Sequence, residues 1–139
     1  MKTWDVAIEG IQKIPEKVVR GTVIGMFSRI VKRSPVDTGR FRGNWQISID
    51  APARGQLNTV EKGKVEPNPS SNPSGSSTAT EGAFKVQKAP FPRSAYFITN
   101  NLPYSEKLEF GSSEQAPNGL VRITVAEFER VIREEAAKL

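Results

Sequence analysis

The chain has 139 residues, 37% of them hydrophobic and 25% charged, which is the composition of one ordinary folded domain. No apolar run approaches the roughly 20 residues of a membrane span, and an N-terminus with Asp5 and Glu9 soon after Lys2 is unlike a secretory signal. Since the chain has neither cysteine nor histidine, it offers no ordinary zinc site, no Ser-His-Asp triad and no Cys-His pair. We therefore expect a single domain over 1–139 with no catalytic residue, no cofactor, no metal and no contact with a membrane.

The net charge of +5 comes from the first third of the chain, because residues 1–45 include nine basic but only four acidic residues. Such an asymmetry permits contact with nucleic acid or with an acidic partner. A helix with a solvated basic face is the stronger interpretation, because the basic residues lack interleaved aromatic residues and glycine-rich loops. A small basic nucleic-acid-binding module stays open as the alternative, with Arg40 and Arg42 beside Asn44 as its best residues.

The first thirty residues predict one long helix, because apolar residues recur at intervals of three and four. Pro15 lies on that apolar stripe and cannot donate a backbone hydrogen bond. It should therefore kink the helix, or restart it with Pro15 at the first position of the second part. Ser34-Pro35 ends the helix, because the residue before a proline is kept out of the α region.

Two strands and a long loop are predicted next. Trp45, Ile47 and Ile49 alternate with polar residues and indicate a half-buried strand over 44–49. Residues 51–94 form a long, largely polar and flexible loop region, because the stretch 66–77 has no large apolar side chain to offset its ordering entropy. Within it, Phe84 and Val86 alternate as in a short strand. Residues 95–99 are apolar on both faces and predict a central strand.

Helices close the chain. Residues 104–110 predict a short helical stretch with Tyr104 and Leu108 one turn apart and Gly111 at its end. The final helix has Thr124 and Glu127 as a capping box, and its start lies there or one turn earlier, near Gly119. Its apolar face is predicted to consist of Val121, Val125, Phe128, Ile132 and Ala136. The fold class expected is α+β: a long N-terminal helix kinked near Pro15, a small mostly antiparallel sheet with a long loop insertion, and a C-terminal helix.

Three carboxylates are weighed as catalytic groups. Asp37 precedes Thr38-Gly39 and is better interpreted as a turn residue, since Asp and Thr side chains bind nearby backbone amides. Glu106 and Glu109 lie three residues apart near Tyr104, a spacing that a paired-carboxylate glycosidase or a metal site could use. A hydrolase would need a second carboxylate across a cleft with a raised pKa, and nothing in the sequence supplies that cleft.

Two blocks resemble the hallmarks of a protein family. The first block, residues 34–45, reads Ser34-Pro35-Val36-Asp37-Thr38-Gly39-Arg40 and then Arg42-Gly43-Asn44-Trp45. The second block, residues 99–122, reads Thr99-Asn100-Asn101-Leu102-Pro103-Tyr104, then Leu108-Glu109-Phe110-Gly111 and Gln115-Ala116-Pro117-Asn118-Gly119-Leu120-Val121-Arg122. The residues of the two blocks, and the order of the blocks, resemble the two hallmarks of the phage neck and tail-completion proteins of long-tailed, siphophage-type bacteriophages. The region 51–94 matches neither hallmark.

The resemblance implies a structural virion protein of the head–tail connection, acting in tail completion or head–tail joining as a ring subunit around the DNA channel. It implies no enzyme activity and no cofactor. The partners expected are further copies of the chain, commonly six, neighbouring neck and tail proteins, and non-specific contact with genomic DNA in the channel. The protein would be made in the bacterial cytoplasm and reside in the virion, at the neck or proximal tail. The interface and structural motif residues implied are Pro35, Val36, Asp37, Thr38, Gly39, Arg40, Gly43, Asn44, Trp45, Asn100, Asn101, Pro103, Tyr104, Leu108, Glu109, Gly111, Gln115, Ala116, Pro117, Gly119 and Arg122.

Overall fold

Helices and strands are mixed along the chain, as expected for the α+β class. The computed structural model describes residues 4–9, 14–91, 95–103, 105–109 and 119–139, without the side chains of 4–9 and 106. The elements in chain order are β1 (Trp4–Glu9), α1 (Glu16–Arg33), α2 (Arg40–Gly43), β2 (Trp45–Ile49), α3 (Ser77–Lys88), β3 (Ala95–Asn100), α4 (Ser105–Glu109), α5 (Val121–Ala126) and α6 (Phe128–Ala136). The predicted long helix, small antiparallel sheet and C-terminal helix are thereby confirmed. Over the ranges described, no helix combines the length and apolar character that a membrane span requires.

The sheet has β3 at its centre, between β1 and β2, and both neighbours are antiparallel to it. The central position predicted for 95–99 and the strand predicted over 44–49 are both confirmed. Ile98 of β3 lies opposite Ile47 of β2, and both side chains are buried. Among the strands that the structure describes, β1 and β2 are consequently the two edges of the sheet.

Helix α1 is the element around which the core is built. Its predicted apolar stripe is buried from Val19 to Ile30. The core contains side chains of β2, β3 and four helices besides α1, and its members are Val19, Val23, Met26, Phe27, Ile30, Val31, Phe41, Trp45, Ile47, Val86, Tyr96, Ile98, Leu102, Leu120, Val121 and Val131. The end predicted at Ser34-Pro35 is confirmed, because Ser34 adopts extended backbone angles (φ −66°, ψ 138°).

The helix predicted before Pro15 is wrong at residues 4–9, which form β1 instead. Pro15 precedes a helix that begins at Glu16, so it marks a start rather than a kink. Trp4, Val6 and Ile8 also alternate at the two-residue period of a strand. A segment of six residues is too short for its apolar pattern to distinguish this period from that of a helix. The backbone of β3 then decides the outcome by supplying hydrogen-bond partners along one edge.

The short strand predicted around Phe84 and Val86 is also wrong, because both residues lie in α3. Ser76 caps this helix by accepting a hydrogen bond from Ala79 N–H at 3.0 Å. Ala79, Gly82 and Val86 recur at helical spacing and are buried towards α1. The region 51–94 is therefore not irregular throughout, because twelve of its residues are helical.

Three features of the predicted C-terminal helix need correction. It consists of α5 and α6, which meet at Glu127, and Thr124 lies inside α5 rather than at a cap. The capping box is therefore wrong, whereas the earlier start near Gly119 is close to the observed first residue, Val121. Val125 was assigned to the apolar face, but 47% of it is exposed.

The contact between α1 and α3 generates a stability prediction. A Cβ at Gly82 would collide with the ring of Phe27, which is buried and cannot move aside. Gly82→Ala should therefore lower the free energy of unfolding by about 1–3 kcal/mol, despite the better helix propensity of alanine. Gly21→Ala is the matched control, because there the Cβ meets the flexible end of Glu135. Equal urea midpoints for the two variants would contradict this packing.

Candidate functional site: the two motif blocks

The two blocks meet where β2 pairs with β3. Trp45 at the end of the first block lies opposite Asn100 of the second in the antiparallel register. The Asn100 side chain is fully buried and donates from Nδ2 to the carbonyl of Phe41 at 2.9 Å. Its Oδ1 accepts from the hydroxyl of Ser105 at 3.2 Å. Segments more than 50 residues apart in the chain thus form one structural unit.

Trp45 points into the core, as its alternation with Ile47 and Ile49 predicted. Its indole N–H donates to Ser34 Oγ at 2.7 Å, and Ser34 Oγ donates to the carbonyl of Ile30 at 2.7 Å. The ring packs edge-to-face on Phe41 with a centroid distance of 5.7 Å. The indole therefore fixes the exit from α1 and presents no open face for a base to stack on.

Two asparagines of the blocks hold the segment 51–57. Asn44 accepts from Leu57 N–H at 2.7 Å and donates to the carbonyl of Arg40 at 2.7 Å. Asn101 donates to the carbonyls of Ala53 at 3.0 Å and Gly55 at 2.9 Å. An amide side chain combines one acceptor with two donors, which suits it to bind backbone where no ladder is available. These motif residues thus fix the path of an exposed loop.

The turn of the first block depends on its glycines. Gly39 has φ +89°, and a Cβ there would lie 2.5 Å from the carbonyl oxygen of Glu61, so only glycine fits. The amide of Glu61 in turn donates to Gly39 O at 2.9 Å. Thr38 Oγ1 accepts from Arg40 N–H at 3.2 Å, whereas Asp37 is exposed. The turn interpretation therefore holds for Thr38 and Gly39, and no turn bond is shown for Asp37.

Glu109 is the most heavily bonded carboxylate of the second block. It is fully buried and accepts from the backbone N–H groups of Leu120, Val121 and Arg122 at 2.9, 2.7 and 3.0 Å. The guanidinium of Arg122 adds an ion pair at 2.7 Å. These amides begin α5 and have no partner within that helix, so a residue eleven positions earlier caps it. Glu109 thus has a structural task that its spacing from Glu106 did not indicate.

The other motif residues are placed as follows. Pro35 is buried, Val36 and Leu108 are half-buried, and Pro103 is exposed. Gly43 packs against the backbone of Thr59, and Gly119 (φ +83°) packs against that of Glu109, so both need the absence of a side chain. The structure does not describe Tyr104, Gly111, Gln115, Ala116 and Pro117, and the predictions for them lie outside the described residues.

The solvated basic face predicted for the first third is wrong, because most of its described cations are buried. Arg20 donates to the carbonyl of Val86 in α3 and to that of Ala89 just after it. Lys32 donates to the carbonyl of Asn72, and Arg33 to that of Pro67. The sequence gives the number and position of the basic residues, but it does not show that carbonyl groups of distant residues will bind them. The buried cations are Arg20, Arg29, Lys32, Arg33 and Arg42.

Arg42 was the best nucleic-acid candidate together with Arg40. Its side chain is only 4% exposed, and it donates to the carbonyls of Lys32, Ser34 and Lys64 at 3.1–3.2 Å. Burial lowers the pKa of Arg42, and the charges of Glu61 and Glu66 oppose that shift only in part. Arg40 is exposed and donates to Gln56 at 2.7 Å. The two arginines therefore differ in role: Arg42 is buried and stabilises the fold, whereas Arg40 lies at the surface.

Glu127 joins the C-terminal helices to α1. Arg33 binds it with two donors at 2.8 and 3.1 Å, and Arg29 adds a third contact at 3.3 Å. Burial acts to raise the pKa of Glu127. The hydrogen bond and charge of Arg33, with the charges of Arg29 and Arg130, outweigh burial and hold that pKa below its usual value.

Two acidic residues were missed by sequence reasoning, Glu127 as an ion-pair partner and Glu61 as a cap. Glu61 is buried and accepts from Ser76 Oγ at 2.8 Å and from Thr78 N–H at 2.7 Å, at the start of α3. A capping box at local spacing is visible in a sequence, but a cap supplied from fifteen residues away is not. Across the described residues, the structure shows no group of three acidic side chains that could hold a metal ion.

Comparisons of the chain with models of known protein families, with curated proteins and with solved structures give no match. The resemblance of the two blocks therefore depends on their residues alone. What the structure adds is their arrangement, which is described above.

Glu109 generates the second stability prediction. In Glu109→Ala two buried backbone amides, the part-buried amide of Arg122 and the Arg122 Nε lose their acceptor. The free energy of unfolding should therefore fall by about 2–4 kcal/mol. Lys107→Ala, an exposed change on the same helix, is the control and should leave the urea midpoint unchanged. An unaltered stability of Glu109→Ala would contradict the capping role.

The ion pairs of Glu127 generate a pH prediction. Because the folded-state pKa of Glu127 is depressed, its stabilisation is present above the unfolded-state pKa of about 4.3 and is lost as the pH falls through the folded-state value. Glu127→Gln should be less stable at pH 7 by about 1–3 kcal/mol and should lose less stability on acidification than the parent. Urea unfolding at a series of pH values measures both. Glu129→Gln, an exposed neighbour, should follow the parent curve.

Proposed function

We propose that the chain is a structural virion protein of the head–tail connection in a long-tailed bacteriophage. In this proposal it completes the tail or joins it to the head as one subunit of a ring around the DNA channel. Its partners are further copies of itself and the adjacent neck and tail proteins. The protein is made in the bacterial cytoplasm and resides in the neck or proximal tail of the virion.

The observation that carries the proposal is the meeting of the two blocks at β2 and β3. Two short matches in one chain could arise independently, and residues that matched by chance would have no reason to lie together. Here Trp45 and Asn100 pair in register, and Asn100 binds the backbone of the first block through Phe41. The resemblance therefore concerns one joined unit of the fold, which is what a shared family scaffold requires.

A non-catalytic role is supported by how the polar residues of the blocks are used. Glu109 binds the start of α5, Asn44 and Asn101 bind the loop 51–57, and Asn100 binds the turn before β2. A general acid or base needs a group within reach of a substrate proton. The Glu109 carboxylate instead lies fully buried against backbone amides. We propose accordingly that these residues maintain the shape of a subunit.

The proposal predicts a defect in particle assembly. A nonsense codon in this reading frame of the phage genome should yield filled heads and separate tails under the electron microscope, with infectivity reduced by several orders of magnitude. The wild-type chain supplied from a plasmid should restore joined particles. Normal infectious particles made without the chain would overturn the proposal.

A structural role further requires the chain to remain in the particle. Quantitative mass spectrometry of purified virions should find it in several copies per particle, as a ring demands. If assembly requires the chain but the finished virions lack it, its role is transient or catalytic, and the proposal is contradicted.

A further inference from the structure

A groove of about 640 Å³ runs along the outer side of β2. Residues of β2 line it and residues of β3 do not, so it follows the free edge of the sheet. Helix α3 provides one wall, and Leu57 with Thr59 provides another. Phe84 on the α3 wall is 61% exposed and Leu57 is 37% exposed. Large apolar side chains exposed beside a concave surface mark contact sites.

The floor of the groove presents backbone groups of β2 that β3 does not bind. The amide of Asp50 donates to Ala95 O at 2.9 Å, and this bond sets the phase of the β2–β3 ladder. Antiparallel pairs alternate, so every second residue of β2 turns its N–H and C=O away from β3. These residues are Trp45, Ile47 and Ile49.

Lys85 contacts this edge from α3. Its ammonium donates to Ile47 O at 3.0 Å. A lysine that covers the backbone of an edge strand is a device by which proteins limit unwanted strand pairing. The edge is therefore protected in the separate chain, and a strand that docks there must displace the Lys85 ammonium.

The opposite edge of the same sheet is β1. Since β1 and β2 are both antiparallel to β3, they run in the same direction. A β1 strand from a second copy can thus lie parallel to β2, and the joined sheet again ends in one β1 edge and one β2 edge. Contacts of this head-to-tail kind generate rings when the rotation between subunits closes.

The charge of β1 is opposite to the charge of the groove along β2. β1 carries Asp5 and Glu9 and has no basic residue. Lys85 and Lys88 line the groove and outnumber its one acidic residue, Glu81. A basic groove attracts an acidic strand and repels a basic one.

We propose that the groove along β2 receives β1 of a second copy of the chain, which continues the sheet from one subunit to the next. The backbone of the docked strand then binds Ile47 O in place of the Lys85 ammonium. This inference rests on the proposed ring for its closure, but the contact itself follows from the sheet edges. The occupant is specified as a strand of this chain, not a strand of another protein.

Engineered cysteines provide the test, because the chain has none of its own. Ala7 and Ser48 both lie in register with Phe97, so they occupy one row of the sheet. Within one copy β3 separates them by roughly 10 Å, two strand spacings, which exceeds the limit of about 7 Å for a disulfide. A disulfide between cysteines introduced at these two positions must therefore join two copies.

Purified Ala7→Cys and Ser48→Cys chains are oxidised separately and as a mixture. A second set of samples uses Gln46→Cys in place of Ser48→Cys, so that a contact shifted by two residues along β2 is also detected. We expect a covalent dimer mainly when the Ala7→Cys chain is mixed with one of the two β2 variants, and little dimer from any variant alone. Dimers formed equally well by each variant alone would indicate a two-fold contact and overturn the proposal. Lys85→Glu, which makes the groove acidic and so repels the acidic β1, should reduce the cross-linked fraction roughly tenfold. Arg133→Glu makes the same charge change on α6, outside the groove, and should not.

The double variant Ala7→Cys/Ser48→Cys is then oxidised in virions. A ladder of covalent multimers that ends at the ring number supports the contact. If virions contain the chain but neither virions nor the purified mixtures give a β1–β2 disulfide, the edge contact is overturned and the proposed function stands. If virions lack the chain, the proposed function fails instead, and disulfides in the purified mixture still decide the contact.

Discussion

The buried cations of α1 are the constraint on which the rest of the structure depends. A buried charge is tolerated only where it is paired and hydrogen-bonded, and the partners here come from distant parts of the chain. Lys32 and Arg33 bind carbonyls of the polar segment that precedes α3, and Arg33 also binds Glu127 between α5 and α6. Arg20 binds the carbonyl end of α3. One helix thereby holds three later segments in place, and it does so through long side chains rather than through apolar contact alone.

The motif blocks depend on the same arrangement. Arg42 of the first block binds the carbonyls that close α1 and the carbonyl of Lys64, so the segment leading to α3 lies over the turn at Gly39. Glu61 in that segment then caps α3, whose Lys85 contacts the edge of β2. The loop that matches no hallmark is thus connected to both blocks and to the proposed contact between copies. A chain with the same two blocks but another loop would need to replace these carbonyl and carboxylate partners.

Local pattern was sufficient for much of the fold. The apolar stripe of α1, the alternation of β2 and the doubly apolar β3 were predicted because each signal lies within one element. Trp4–Glu9 was mistaken for helix because six residues fit both periods, and the choice was made by β3, about 90 residues later in the chain. The caps of α3 and α5 come from Glu61 and Glu109, at distances that no local rule covers. The basic residues were placed in solvent because a sequence shows the charges but not the carbonyls that bind them.

Lysine reactivity in the folded protein tests the central claim most directly, that the cations of α1 are internal. Lys17 and Lys32 lie on the same helix, but Lys17 is exposed and Lys32 is 6% exposed with its ammonium on Asn72 O. Brief treatment of the native chain with an acetylating reagent, followed by mass spectrometry, compares their rates of modification. The account predicts that Lys17 reacts at the rate of an exposed lysine such as Lys62, and that Lys32 reacts only after denaturation. Equal rates for Lys17 and Lys32 in the native chain would contradict it.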